Sequence, residues 1–217
     1  MTERPLALFR VEGVLLKRSA LGCAAWMAAR HRDLGSRLTG LAALAFTRPL
    51  DAVDSAVATK IAWRTLAGCS DDRLYVLGEL YREDRLEDAW NAVGLDLLDR
   101  CKRRGDRVVL LSDHPDVALS GLADRLGAER LVCNRFVYED GKATGALAEP
   151  VFHGRADGSF VRKLAAELGA DPSRIMAYGC HASDATLLSG VALPCAVTPD
   201  LRLRGMASTF DWPIVEA

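Results

Sequence analysis

The 217-residue chain is 50% hydrophobic and 26% charged, the composition of an ordinary globular protein with enough apolar side chains for a real core. Its 28 Lys and Arg nearly balance its 29 Asp and Glu, so no overall field draws it to nucleic acid or to an anionic membrane. The six cysteines form no CxxC pair, the N-terminus MTERPLALF lacks a basic segment followed by a secretory apolar core, and LTGLAALAF is about half of the roughly 20 residues that a membrane span needs. Reduced thiols in a cytoplasm and no membrane-spanning segment are therefore expected.

The first element is the apolar run ALFRVEGVLL, a buried strand that delivers Arg10 and Glu12 to its carboxyl end. Charges placed there mark the crevice in which open α/β sheets bind ligands. From about Ser19 to Gly94 there is hardly a strand signal. ALGCAAWMAARHRDLGSRLTGLAALAF, PLDAVDSAVATKIAWRTLAG and SDDRLYVLGELYREDRLEDAW carry apolar residues at intervals of three and four. This predicts an all-helical insert, divided at Gly35, Gly40, Pro49 and the GCSDD turn, with Ser70 starting a helix.

Beyond Leu95 the texture changes. A helix through LDLLDRCKRRG, the strand RVVLLS, the helix PDVALSGLADRLG and the short strand RLVC follow one another. RFVYEDGKATGAL predicts a hairpin turning at Asp140-Gly141. The helix SFVRKLAAELG, the strand RIMAYG, the short helix SDATLLSG and the strand LPCAVTP complete the series. Strand and helix alternating in this way predict an α/β fold, a Rossmann-like doubly wound parallel sheet with helices on both faces. The expected domains are a core of residues 1–16 and 95–217 and an all-helical cap, residues 17–94, inserted after the first strand.

A strand ending in two charges, a helical insert, a second strand ending in LLSDHP and a later one ending in AYGCHASDATLL resemble the haloacid dehalogenase superfamily. The phosphoserine-phosphatase-like branch with a helical cap is the nearest pattern. The insert and hairpin are also similar to the phosphatase-like domains joined to plant glycerol-3-phosphate acyltransferases, or to prenyltransferases in bacteria. Such a likeness implies a fold more firmly than an activity.

Working phosphatases of this family carry four motifs, and the resemblance places each on this chain. Their first strand ends D-x-D-G-T, in which one aspartate attacks phosphorus and the second handles protons. The matching residues here are Arg10, Val11, Glu12, Gly13 and Val14. A guanidinium stays protonated and cannot be a nucleophile, whereas Glu12 keeps a carboxylate one methylene longer. Ser112 matches the Ser or Thr that hydrogen-bonds the phosphate. The lysine that neutralises the phosphate, set four residues before Leu164, is replaced by Phe160, and Lys163 falls elsewhere on the helix as a solvated side chain. In the metal-binding motif G-D-S-x-x-D the first acid becomes Cys180 and only Asp184 remains. Magnesium demands hard oxygen ligands, so the resemblance implies a lost magnesium site, and no cofactor or metal is expected.

Other residues receive structural readings. Cys180 beside His181 is a buried inert thiol, Asp113 and His114 are turn residues, and His153 has no ligand spacing near it. Trp26, Met27, Leu38, Leu41, Leu44 and Phe46 are packing residues of the insert, the alternative being a partner-binding or peripheral membrane face. Arg10 is expected to pair with Glu12 or Asp184 in place of the ion. Charges about 4 Å apart at an effective dielectric near 20 interact by roughly 4 kcal/mol before desolvation is subtracted.

The expectation is a pseudophosphatase used for binding, regulation or assembly, with a protein partner or a second copy engaged through the cap and a link to a lipid-modifying enzyme. Two alternatives remain: a weak or unconventional phosphomonoester hydrolase, and a small-anion binder in which Arg10 and Ser112 hold a phosphate without cleaving it.

Overall fold

The computed structural model describes residues 4–30, 55–148, 152 and 156–216. Strand β1 (Leu6–Arg10) is buried along its whole length. Ala7 and Phe9 enter one apolar cluster and Leu6 and Leu8 the other, so both sheet faces are covered and the strand has no polar side to show. After β1 come α1 (Ala20–Ala28), α2 (Ser55–Arg64) and α3 (Asp71–Tyr81), the last continuing into a π-helical turn at Arg82–Leu86. The described elements between β1 and the next strand are all helices. Ser19 and Ser70 cap α1 and α3 by accepting from the backbone N–H groups of Gly22 and Arg73, as the run Ser70-Asp71-Asp72 predicts.

The rest alternates. Helix α4 (Ala92–Arg104) leads to β2 (Arg107–Pro115), followed by α5 (Asp116–Leu119), α6 (Leu122–Leu126) and β3 (Arg130–Asn134). Strands β4 (Phe136–Glu139) and β5 (Lys142–Leu147) form the hairpin, turning at Asp140 and Gly141 with φ of 48° and 72°, the pair of positive angles that such a tight turn demands. Helix α7 (Gly158–Leu168), β6 (Ile175–Gly179), α8 (Ala185–Ser189), β7 (Leu193–Val197), α9 (Leu201–Thr209) and β8 (Ile214–Val215) follow. The last two have no counterpart in the sequence expectation: α9 buries only Leu203 and Ala207, too thin a stripe to signal a helix, and β8 has two residues.

Six strands form one parallel sheet in the order β3-β2-β1-β6-β7-β8. Chain order reverses at β1, and at such a switch point a crevice opens outside the carboxyl ends of the strands. Helices α7, α8 and α9 supply buried residues to one face. Helix α4 and the helices between β1 and β2 cover the other, in one cluster that joins Trp26, Met27, Trp63, Leu74 and Tyr81 to Phe9, Leu110 and Tyr178. The hairpin belongs to the same side, since the Gly68 N–H donates to Ala143 and the Asp71 N–H to Gly141. Helix α3 lies so close to α5, directly after β2, that a Cβ on Gly78 would sit 2.0 Å from the Val117 carbonyl oxygen.

Trp26 and Met27 are packing residues, as expected. Leu38, Leu41, Leu44, Phe46 and His153 lie outside the described residues. Among the described residues, no helix is long and apolar enough to cross a membrane.

Candidate functional site: an arginine among three carboxylates

Arg10 ends β1 at the switch point and is 2% exposed. Its Nη2 donates to Asp113 Oδ2 at 2.8 Å and lies 3.2 Å from Glu12 Oε2, while its Nε lies 2.9 Å from Asp184 Oδ1. These carboxylates come from the loop after β1, the end of β2 and the turn after β6, so the guanidinium ties together the three central strands. The ring of Phe152 lies 5.3 Å from the guanidinium carbon. Burial alone would weaken the Arg10 charge, but Asp113, Asp184 and Glu12 outweigh it and push its pKa up.

Glu12 carries the densest set of bonds. Its Oε1 accepts from Ser112 Oγ at 2.5 Å, from the backbone N–H groups of Asp113 and His114 at 3.0 and 3.3 Å, and from His114 Nδ1 at 2.6 Å. A carboxylate only accepts, so His114 Nδ1 carries a proton, and Tyr81 OH lies 3.5 Å from Nε2 on the far side of the ring. Burial would raise the Glu12 carboxyl, yet Arg10, His114 and Ser112 together hold it down at about 2. Asp113 goes the other way: burial raises it most, Glu12 and Asp184 add to that, and Arg10 opposes, leaving it at about 6. One guanidinium against three carboxylates leaves an excess of negative charge.

Asp184 Oδ2 accepts from the N–H groups of Cys180 and His181 at 2.8 and 2.9 Å, fixing the turn after β6. Cys180 is buried, its thiol donates to the Thr198 carbonyl at 3.3 Å, and burial next to Asp184 pushes it up to about 11. It is buried, as the sequence suggests. Gly13 has φ 77° and sits so close that a Cβ would lie 2.6 Å from Cys180 Sγ. Asn91 Nδ2 donates to the Gly13 carbonyl at 2.8 Å and holds this loop from α4.

Phe160 does reach the site, at one remove. It is half-buried on α7, and its ring meets that of Phe152 edge-on at 5.6 Å, so two aromatic rings back the guanidinium where a lysine was sought. Lys163 is exposed. The structure corrects the reading of Asp113 and His114 as turn residues. Strand β2 stays extended past Ser112 to Pro115, and both side chains join the network, His114 fully buried. An acid and an imidazole directly after the matched serine were the available signal. Of the donors expected to hold an external anion, Ser112 is engaged by Glu12 and Arg10 pairs with three carboxylates through Nη2 and Nε, while its buried Nη1 makes no hydrogen bond among the described residues.

A magnesium ion, which the fold resemblance implies, does not fit these residues. A buried guanidinium stands within 3.2 Å of each carboxylate that could ligate the ion, and Cys180 offers a protonated sulfur engaged elsewhere. Among the described residues, no group of three or more His, Cys, Asp or Glu is arranged to hold a metal.

Residues 14–189 match the HAD family, described as haloacid dehalogenase-like hydrolase. The chain belongs to this haloacid dehalogenase-like hydrolase family. The matched span begins at Val14, just past Arg10, Glu12 and Gly13. A Mycobacterium tuberculosis relative named phosphoserine phosphatase is 29% identical over 214 residues, covering 96% of this chain and 69% of that protein. An "inhibition of morphological differentiation protein" of Streptomyces azureus is 36% identical over 121 residues, 55% of this chain but only 43% of that protein. Among solved haloacid dehalogenase-like folds, a substrate-bound phosphoserine phosphatase superposes with a TM-score of 0.74 at 18% identity, covering 100% of this chain and 95% of that one. A Bordetella pertussis protein of unknown function superposes with a TM-score of 0.81 at 23% identity, covering 99% of both chains.

Proposed function

We propose that this phosphatase-like protein of the haloacid dehalogenase family is a pseudophosphatase that acts by binding, regulation or assembly without metal-dependent phosphoester hydrolysis. One observation carries the reading: Arg10 occupies the end of β1, where a family phosphatase places its attacking carboxylate, and its guanidinium is paired with Glu12, Asp113 and Asp184. An aspartyl phosphate has no oxygen to form on, since a guanidinium offers no lone pair for attack. Glu12 retains an acid/base group but is held ionised by four donors and has no leaving group to protonate.

Phosphate is disfavoured a second time, by charge. The excess of carboxylates repels an incoming oxyanion, and Phe160 supplies no cation to offset it. The names of the relatives favour the rival reading, a phosphomonoester hydrolase. Assaying the purified protein on a broad panel of phosphomonoesters with millimolar magnesium separates the two. Turnover at the level of a contaminant control is expected. Turnover well above it that disappears in Asp184→Ala overturns the pseudophosphatase and establishes the hydrolase.

A further inference from the structure

The four donors on Glu12 Oε1 converge from one short stretch, Ser112 to His114: a hydroxyl, two successive backbone N–H groups and an imidazole N–H, at 2.5 to 3.3 Å. Donors so arranged make an oxyanion cradle fixed by the end of β2, and the carboxylate in it is 4% exposed. The occupant comes from a different strand connection, 100 residues away in sequence from Ser112. Among the described residues its other oxygen, Oε2, accepts no hydrogen bond and lies 3.2 Å from the Arg10 guanidinium. The cradle therefore grips a single oxygen, as it would grip one oxygen of a free ligand.

We propose that the end of β2 is a built oxyanion site whose resident ligand is the chain's own Glu12, so that the wild-type protein excludes external oxyanions and its Glu12-truncated form becomes a receptor for a small carboxylate. This deepens the pseudophosphatase reading and rests on it: Arg10 takes the cation's role, Glu12 the anion's, and both partners of the site are supplied internally. The atoms that Glu12→Ala removes, a methylene and a carboxylate, are those of acetate. Acetate is accordingly the best-matched occupant and formate next, whereas inorganic phosphate has more heavy atoms than the truncation removes.

The test uses the full chain as wild type, Glu12→Ala, Glu12→Gln and Glu12→Ala/Ser112→Ala, melted in sodium acetate, formate or phosphate against chloride at matched ionic strength and pH 7, with calorimetry for stoichiometry. A ligand that binds the folded state alone raises the melting temperature with its concentration. Glu12→Ala should melt below wild type in chloride, rise with acetate and bind one acetate per chain. Removing Ser112 as well should weaken that affinity at least tenfold. Wild type and Glu12→Gln, in which the cradle is filled, should not respond to any of the three anions. If Glu12→Ala does not fold in chloride, folding restored by acetate supports the site equally, and failure of acetate to restore folding overturns it. The proposal also fails if wild type is stabilised by acetate or phosphate, or if folded Glu12→Ala ignores acetate. A wild type that turns over phosphoesters overturns the functional reading, whereas one that binds phosphate without turnover overturns only the internal ligand.

Discussion

Arg10 Nε and Asp184 Oδ1 stand 2.9 Å apart, joining the end of β1 to the turn after β6 with both side chains at most 2% exposed. Removing one partner of such a buried pair leaves an uncompensated charge, at a cost of about 3–5 kcal/mol. Arg10→Asp should lose about that much stability in urea melts, since it places a fourth carboxylate among three. Millimolar magnesium should leave the wild-type midpoint unchanged. Stabilisation of wild type by magnesium, or turnover gained by Arg10→Asp alone, would contradict the account of the site.

The two shifted carboxyls give stability a definite pH profile. Asp113 is raised to about 6 in the folded protein, so its folded form holds a proton more tightly than its unfolded form. Its contribution is full below the unfolded pKa near 4 and is lost as pH rises through about 6. Glu12, lowered to about 2, contributes above the unfolded value near 4.5 and loses that contribution as pH falls toward 2. Asp113→Asn should therefore remove a decline in stability, on the order of 1–3 kcal/mol, that wild type shows between pH 4 and 7. Denaturant midpoints measured across that interval for both proteins check it; parallel curves would rule out Asp113 as the group.

Phe160 and Lys163 lie one turn apart on α7 and should behave differently. Phe160→Ala removes an edge-on partner of Phe152 and part of the backing of Arg10, with an expected cost of about 1–2 kcal/mol. Lys163→Ala, on the exposed face, should stay within roughly 0.5 kcal/mol of wild type. Equal effects in chemical denaturation would detach Phe160 from the site.

All six thiols are shifted upward by burial, Cys133 to about 12, Cys180 and Cys195 to about 11, and Cys23, Cys69 and Cys101 in the same direction. The thiolate is the reactive species, so a maleimide at pH 7 should modify the native protein far more slowly than the urea-unfolded chain. Rapid labelling of Cys180 in the native state would revive it as a nucleophile.

Much of the fold was legible because local and global signals agree. The alternation of apolar runs with periodic helices gave the parallel sheet, and Asp140-Gly141 the hairpin turn. Arg10 and Glu12 could be placed at the carboxyl end of a strand because that is where the apolar run stops, whereas Ser112 and Asp184 were matched through the family resemblance. Asp113 and His114 escaped because a polar pair before a proline has the local chemistry of a turn, and distant partners hold the chain extended there: Glu12 on their N–H groups, and Asn134 of β3, which pairs with Pro115 and bonds the Asp113 carbonyl. The link from Phe160 through Phe152 to Arg10 joins residues 150 apart, and no periodicity reports it.

The apolar cluster that runs without a break from Trp26, Trp63 and Tyr81 to Phe9 and Tyr178 also limits how the molecule can move. Access by a swinging lid requires a seam of polar contacts or water along which two rigid bodies part. Here the seam is greasy: Tyr81 packs edge-on against Trp26 while its hydroxyl faces His114, and Gly78 presses backbone on backbone. Parting the helices from the sheet would wet large aromatic side chains, so the motion is closer to partial unfolding than to breathing. Such a core is expected to melt as one cooperative unit, so amides in α3 should exchange with solvent on the same slow clock as those in β1.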